Sequence, residues 1–160
     1  MSESERYMAE ALEEAAAAAS EGEVPIGAVV VHGGEIVSRA HNMTVQTKDP
    51  TAHAEMLAMK AALEALKGKN HRLSGCELYV TLEPCAMCAG AIVLNRIDKL
   101  YIGTMDPKSG ACGSLFDIVR DERLNHRAAV ETGVLEAACS GMLKDFFRGL
   151  RSTKDHPEEV

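Results

Sequence analysis

The chain is organised around the stretch Thr51-Ala52-His53-Ala54-Glu55, which has to be read together with Pro84-Cys85-Ala86-Met87-Cys88 further along. One His and two Cys are three ligands for Zn²⁺, and they leave the fourth tetrahedral position open for water, as in catalytic zinc sites. A structural site needs a fourth protein ligand, and the sequence offers no second CxxC and no paired His. We therefore predict that His53, Cys85 and Cys88 hold one Zn²⁺ per subunit.

The acid two residues after the His ligand is predicted to be the catalytic residue. Glu55 is not needed as a metal ligand, so it can carry protons for the water that the metal activates. The alternative is that Glu55 only stabilises the N-terminus of its helix, where acidic side chains are common. Because Glu55 lies beside a metal ligand, we favour catalysis, and the combination predicts a hydrolase.

The spacing H-x-E followed by P-C-x-x-C is the signature of zinc-dependent nucleobase deaminases, among which are the bacterial tRNA-specific adenosine deaminases. The chain resembles that family over roughly residues 5–151. The matching segments are Glu23–Val29, His41-Asn42, Asp49–Glu55, Tyr79–Cys85, Asp106–Lys108, Asn125–Arg127 and Asp145–Phe147. The resemblance implies hydrolytic deamination of adenosine to inosine at the wobble position of a tRNA anticodon loop, by a homodimer.

The same resemblance implies which residues bind the substrate. Asn42 would hydrogen-bond the target base and Asp106 would contact the ribose-phosphate nearby, with Ala54 and Lys108 also at the substrate. On the last helix, Phe147 borders a basic face, so we expect an RNA contact at Lys144, Phe147, Arg148 and Arg151. From the residues alone, the more ordinary interpretation is that this face is a solvated helix surface and Phe147 an edge-of-core aromatic, and it is the resemblance that favours RNA contact.

Two other functions remain open from the sequence. A free-base deaminase for guanine or cytosine would share the metal site without needing a basic helix. A zinc-stabilised binding module would lack turnover, which the open coordination position and Glu55 argue against. His41 and His126 lie within the family's motifs and are either local orienting residues or structural histidines.

Composition limits the class of protein. With 160 residues, of which 46% are apolar, we predict a single domain over residues 1–160 with a frayed tail at about 155–160. A net charge of −7 argues against bulk electrostatic binding of nucleic acid, so any RNA contact must be local. No apolar run is long enough for a membrane span and Met1–Glu5 does not resemble a signal peptide, so we expect a cytoplasmic protein that does not associate with membranes. In that compartment we expect Cys76, Cys112 and Cys139 to be structural thiols.

Hydrophobic periodicity and turn signals predict an α/β fold with three layers, a mixed five-stranded sheet flanked by helices. The family resemblance implies that this fold is cytidine-deaminase-like. We predict helices from Ser2 or Ser4 to Gly22, from a cap at Thr51 to about Leu66, from Pro84 onwards and over about Glu136–Thr153. Strands are predicted at residues 26–32, 35–40, 77–82 and 99–103, with a weak fifth at 128–135. The first two form a hairpin at Gly33-Gly34, and the next two are parallel because a helix connects them.

Overall fold

A computed structural model describes residues 1–67 and 71–153, with the backbone alone for residues 152 and 153. The tail that the sequence predicts to be frayed lies outside the described residues. The elements in chain order are α1 (Glu3–Ser20), β1 (Gly27–His32), β2 (Glu35–His41), α2 (Thr44–Thr47), α3 (Ala54–Ala65), β3 (Cys76–Leu82), α4 (Ala86–Leu94), β4 (Lys99–Thr104), β5 (Ala129–Thr132) and α5 (Glu136–Thr153).

The five strands form one mixed sheet in the order β2-β1-β3-β4-β5, which confirms the predicted fold class. β1 pairs antiparallel with β2 and with β3, whereas β3 and β4, and β4 and β5, are parallel. The hairpin turns at Gly33 and Gly34, whose φ angles of 60° and 79° suit glycine. α4 makes the crossover between β3 and β4, as parallel pairing requires.

Both faces of the sheet are covered, which gives the predicted three layers. Side chains alternate along a strand, so β1 contributes to a separate apolar cluster on each face. The cluster on the α1 side contains Met8, Ala11, Val29, Val31, Tyr79 and Tyr101. The cluster on the α3 and α4 side contains Ala28, Val30, Ala58, Met59, Leu78, Val80, Ile92 and Ile102. None of the described helices combines the length and the apolar character that crossing a bilayer requires.

α5 packs on both sides of the sheet. Near its start Cys139 belongs to the α1-side cluster, and further along Leu143, Phe146 and Phe147 pack against the opposite cluster. Gly103 of β4 allows the close approach, since a Cβ there would lie 2.4 Å from the Cys139 Sγ. The course of α5 therefore brings its second half toward the predicted metal site.

Two predicted details of the helices are wrong. Thr51 does not cap α3, because its hydroxyl donates to Asp49 Oδ1 at 2.7 Å and the helix begins only after His53, the N-cap residue. Helical spacing also predicts a buried stripe on α3 formed by Met56, Met59, Leu63 and Leu66, and this stripe is incomplete. Only Met59 of the four large residues is fully buried, and small residues fill the rest of that face, namely Ala54, Ala58 and Ala62. The helix can therefore lie close to the sheet.

Candidate active site

The three predicted metal ligands lie where two helices begin. His53 is the N-cap residue of α3, and Cys85 is the N-cap residue of α4, one position after the predicted start of that helix at Pro84. The His53 Nδ1 lies 3.6 Å from the Cys85 Sγ and 3.5 Å from the Cys88 Sγ. Tetrahedral zinc with ordinary Zn–S and Zn–N bond lengths would hold sulfur and nitrogen about 3.6 Å apart. The donor set and its spacing therefore fit Zn²⁺.

The two thiols and the imidazole influence one another's protonation. Hydrogen bonds from Cys88 and His53 lower the pKa of Cys85 to about 4 despite partial burial. The pKa of Cys88 is raised because its thiol donates to Cys85 and is buried beside Glu55. The hydrogen bond with Cys85 raises the pKa of His53. Cys85 is therefore the thiolate of the cluster, whereas Cys88 keeps a proton that a divalent metal would displace on binding.

Glu55 lies in the first turn of α3, adjacent to this cluster. Its side chain is buried, 4% exposed, and hydrogen-bonds with Cys88. Burial raises the pKa of Glu55 to about 7, with the cationic form of His53 acting in the opposite direction. A carboxyl group with such a pKa exchanges protons readily at neutral pH, which is what a general acid–base residue needs.

A cleft of about 1190 Å³ connects the metal cluster with the predicted RNA-binding residues. His53, Glu55 and Cys85 form one part of its lining. The other predicted residues that line it come from the loop after β4 and from α5, namely Asp106, Lys108, Lys144, Phe147, Arg148 and Arg151. Residues almost a hundred positions apart in the chain therefore border one continuous space.

Asn42 and Ala54 are placed differently, since neither lines this cleft and both are fully buried. The Asn42 backbone N–H donates to the Ile26 carbonyl at 3.0 Å. Neither polar atom of the Asn42 side chain has a hydrogen-bond partner among residues 1–67 and 71–153. Leaving a buried amide unsatisfied costs free energy, so a ligand that pairs with it is the simplest explanation.

Two buried carboxylates support the site, and no sequence pattern predicts a role for either of them. Glu23 accepts from the backbone N–H groups of Val45 and Gln46, at 3.0 and 2.7 Å, and so holds the loop that follows Asn42. Glu83 accepts from several groups in the loop after β4 and is 3% exposed. Both acids belong to segments that match the family, but only the folded chain shows which amides they bind.

Two other histidines of the family's segments and three cysteines outside the metal cluster make contacts within the protein or are buried in it. His126 Nε2 donates to the Ile97 carbonyl at 2.7 Å, which favours the structural interpretation of that residue. Both ring nitrogens of His41 face acids of α1 or the turn after it, Glu14 and Glu21. The thiols predicted to be structural are free and buried, namely Cys76, Cys112 and Cys139.

Known proteins with similar sequences are deaminases. The family model described as MafB19-like deaminase matches residues 2–151. The tRNA-specific adenosine deaminase of Bacillus subtilis (strain 168) is 53% identical over 154 residues, 96% of this chain and 94% of that protein. The enzyme of the same name from Aquifex aeolicus (strain VF5) is 51% identical over 148 residues, 92% of this chain and 96% of that protein.

Solved structures of other deaminases have the same fold as this chain. One from studies of A-to-I editing by tRNA:A34 deaminases at the wobble position of transfer RNA is 43% identical, with a TM-score of 0.82, over 86% of this chain and 99% of that one. The guanine deaminase from Nitrosomonas europaea is more distant at 25% identity, with a TM-score of 0.77 over 89% of this chain and 83% of that one.

Proposed function

This chain belongs to the MafB19-like deaminase family, and we propose that it hydrolyses adenosine to inosine at the wobble position of a tRNA anticodon loop. The observation that carries the proposal is the continuous cleft, which joins the metal cluster and Glu55 to an aromatic residue and basic side chains of α5. Such a cleft suits an extruded base at one end and the RNA chain at the other.

We propose that His53, Cys85 and Cys88 hold one Zn²⁺ in each subunit. Zinc in such a site supplies Lewis acidity, which lets water act as a nucleophile at neutral pH. The support comes from the family and from the sulfur–nitrogen distances of 3.5 and 3.6 Å, which match tetrahedral coordination. Only three protein ligands converge among the described residues, as a catalytic site requires.

Glu55 is the proposed proton shuttle. It accepts a proton from the water that attacks C6 of adenine and delivers it to ring N1. It then accepts the second proton of that water, from the hydroxyl now on C6, and passes it to the exocyclic amine, which leaves as ammonia. The burial that raises the pKa of Glu55 to about 7 allows the side chain to accept and to release the proton within one cycle. A hydrogen bond with Cys88 holds the carboxyl beside the residues proposed to bind the metal.

The base and the ribose-phosphate are assigned to residues around the cluster. Asn42 offers donor and acceptor atoms that no described side chain or backbone group uses, so it suits the edge of a purine. Ala54, the first residue of α3, places a helix N-terminal backbone amide next to the metal ligand. Asp106 and Lys108, on the loop that borders the cleft, are assigned to the ribose-phosphate.

The RNA strand is assigned to α5. Phe147 can stack on a base, while Lys144, Arg148 and Arg151 can contact phosphates. In a chain whose net charge is −7, these three cations are a local basic region rather than part of a generally basic surface, although Arg148 is ion-paired with Asp145 at 3.0 Å. A free-base deaminase would need no such region, and the guanine deaminase relative is much less similar in sequence than the tRNA-specific enzymes.

A homodimer and a cytoplasmic location complete the proposal. Exposed apolar side chains on α4 and in the loop after β4 offer a candidate subunit interface, namely Leu94, Leu115 and Phe116. A tRNA substrate is consistent with the cytoplasmic location expected from the sequence.

The proposal is tested by comparing deamination of an anticodon stem-loop with that of free adenine, guanine and cytosine across a salt series. Changing Lys144, Arg148 and Arg151 to Gln should weaken RNA binding and flatten its salt dependence, by about 0.7 in slope for each phosphate that is no longer neutralised. Phe147→Ala should cost a further ~1 to 3 kcal/mol of RNA binding.

The matched control changes Arg6, Lys60 and Arg72 to Gln, which removes the same charge from residues that do not line the cleft. This control should bind RNA with nearly the same salt dependence as the wild-type protein. Activity confined to a free base, or an equal loss of RNA binding in the control, would refute the assignment of tRNA to this cleft.

A further inference from the structure

The loop that carries Asp106 and Lys108 is folded around one buried carboxylate. We call residues 105–114 the rim loop. Glu83, which follows β3, accepts from the backbone N–H of Asp106 at 2.9 Å and from those of Cys112 and Ser114 at 3.0 Å each. The Ser114 hydroxyl donates as well. Two carboxylate oxygens have about four lone-pair sites, so these four donors saturate the side chain.

The fit between the rim loop and this carboxylate is close. A Cβ at Gly110 would lie 2.2 Å from the Glu83 carboxylate, so only glycine lets the loop pass there. The Gly110 N–H donates to the Asp106 carbonyl at 2.9 Å, and the Ala111 N–H donates to the Pro84 carbonyl at the same distance. The loop is therefore attached to the segment that leads into Cys85 as well as to Glu83.

The contacts of Glu83 extend to the residues that face the substrate. The Glu83 carboxylate holds the Asp106 backbone, and the Asp106 side chain in turn accepts from the Lys108 N–H at 3.0 Å and the Ser109 hydroxyl at 2.7 Å. Asp106 and Lys108 both line the cleft. A displaced Asp106 backbone would therefore move both side chains away from the path assigned to the RNA.

From these contacts we propose that Glu83 is a positioning residue for RNA recognition. Glu83 is among the residues that line the cleft, but its carboxylate oxygens are occupied by donors of the rim loop. It acts through the rim loop, whose conformation presents Asp106 and Lys108 to the ribose-phosphate. This inference rests on the proposed function, because it names a determinant of RNA binding at that same cleft. Glu83 thus governs how tightly the stem-loop binds, while Glu55 governs how fast the bound base reacts.

The test is Glu83→Gln, which keeps the size of the side chain but turns one acceptor into a donor that faces backbone N–H groups. KM for the stem-loop should rise about tenfold or more. A tenfold change in affinity corresponds to the loss of roughly one charge-assisted hydrogen bond. The salt slope of RNA binding should fall by about 0.7 because Lys108 no longer neutralises a phosphate. Zinc content by elemental analysis should be unchanged, and kcat at saturating RNA should stay within about threefold.

Amide hydrogen exchange of the free protein separates this inference from the proposed function. Exchange of the amides of Asp106, Cys112 and Ser114 should be faster in Glu83→Gln even if the wild-type protein deaminates something other than a stem-loop. Suppose that the wild-type protein does not deaminate the stem-loop, while those amides exchange faster in Glu83→Gln. The proposed function and the role of Glu83 in RNA binding would then both be refuted, but the contacts between Glu83 and the rim loop would be confirmed.

Gly110→Ala is the second variant, needed in case Glu83→Gln does not fold. Its Cβ displaces the loop from the carboxylate without altering any charge, so the same rise in KM and the same decrease in slope are expected. Gly141→Ala is its control, since a Cβ there meets nothing within 4 Å. Val31→Ala controls for stability alone, because Val31 is buried in the α1-side cluster, whereas Ala111 and Cys112 of the rim loop belong to the opposite cluster.

Unchanged KM and salt slope in Glu83→Gln and Gly110→Ala would overturn the inference. Loss of zinc from folded Glu83→Gln would overturn it too, by assigning Glu83 to support of the adjacent Cys85. A rise in KM in Val31→Ala equal to that in Glu83→Gln would also overturn it, because lower stability alone would then account for the weaker RNA binding.

Discussion

At the scale of single residues, the site depends on two glutamates that are both buried but have different neighbours. Glu83 is surrounded by four hydrogen-bond donors, three of them backbone N–H groups, which suit a fixed carboxylate. Glu55 instead adjoins thiols and an imidazole, and burial raises its pKa to about 7. The surroundings of each side chain therefore indicate a structural anchor in one case and a proton carrier in the other.

Glu55→Gln should keep the fold and one zinc per chain while losing roughly 10²- to 10⁴-fold in turnover, the usual contribution of general acid–base catalysis. The amide keeps the shape of the side chain but cannot accept the proton of the attacking water. Single-turnover deamination and elemental analysis on the same preparation measure both quantities.

Cys88→Ser is the matched control for the metal. It should lose zinc and become less stable, because the free energy of metal binding contributes to the stability of the folded state. Near-normal turnover in zinc-replete Glu55→Gln would transfer the catalytic role to another residue. Full zinc occupancy in Cys88→Ser would contradict the ligand assignment.

At the scale of the elements, a histidine links α1 to the outer strand of the sheet. His41, the last residue of β2, contacts Glu14 at 2.8 Å through Nδ1 and Glu21 at 3.2 Å through Nε2. Burial lowers the pKa of His41, but the hydrogen bonds and charges of the two acids together outweigh burial and raise it above the ordinary value. The protonated ring can donate to both acids at once.

This link should make stability depend on pH. Because the folded-state pKa of His41 is raised, its contribution is fully present below the unfolded pKa, about 6.5, and is lost as pH rises through the folded pKa. His41→Gln, which does not titrate, should therefore lower the urea midpoint more at pH 6 than at pH 8.5. Denaturation followed by circular dichroism at both pH values measures this. An equal effect at the two pH values would show that protonated His41 does not stabilise the α1 contact.

The helix starts show how local signals and long-range packing compete. Thr51 is a good N-cap residue by type, yet its hydroxyl is used by Asp49, and the helix begins only after His53. In the same way α4 begins after Cys85 rather than at Pro84. Because both ligands are N-cap residues with extended backbones, their side chains are free to approach each other from two different helices.

At the scale of the whole molecule, the surface retains apolar side chains that a single chain does not cover. Leu94 is 74% exposed on α4, and Leu115 and Phe116 are 55% and 60% exposed in the loop after β4. Large exposed apolar residues commonly mark protein contacts. α4 also carries Cys88, and the loop after β4 also carries Asp106 and Lys108, so both segments contribute to the site as well.

We predict that the protein is a dimer in solution and that Leu94→Asp with Phe116→Ser shifts it to monomer. The introduced polar groups would have to be desolvated in the interface, which disfavours association. Light scattering coupled to size-exclusion chromatography measures the mass. Val45→Ser is the control, because Val45 is also an exposed apolar residue, at 52%, but lies on α2. A monomeric wild-type protein, or dissociation caused by Val45→Ser, would contradict this interface.

What the sequence determined by itself is local chemistry and the order of the elements. The spacing of His53, Glu55, Cys85 and Cys88 predicts the zinc chemistry because metal ligands and proton shuttles are recognisable by residue type. Hydrophobic periodicity predicts α5 with the bounds the structure has, and the mixed five-stranded sheet follows from strands, turns and one helical crossover. Each of these is recognisable from residue types and spacings within short segments of the chain.

Only the tertiary structure decided what residues distant in the chain do together. The amides that Glu83 and Glu23 bind lie more than twenty positions away, so no local pattern identifies them. The cleft that joins Phe147 to His53 exists because α5 packs beside β4 and reaches the metal cluster with its second half. Long-range packing of this kind depends on the whole set of buried surfaces at once, and for that reason only the folded chain shows how the substrate cleft is assembled.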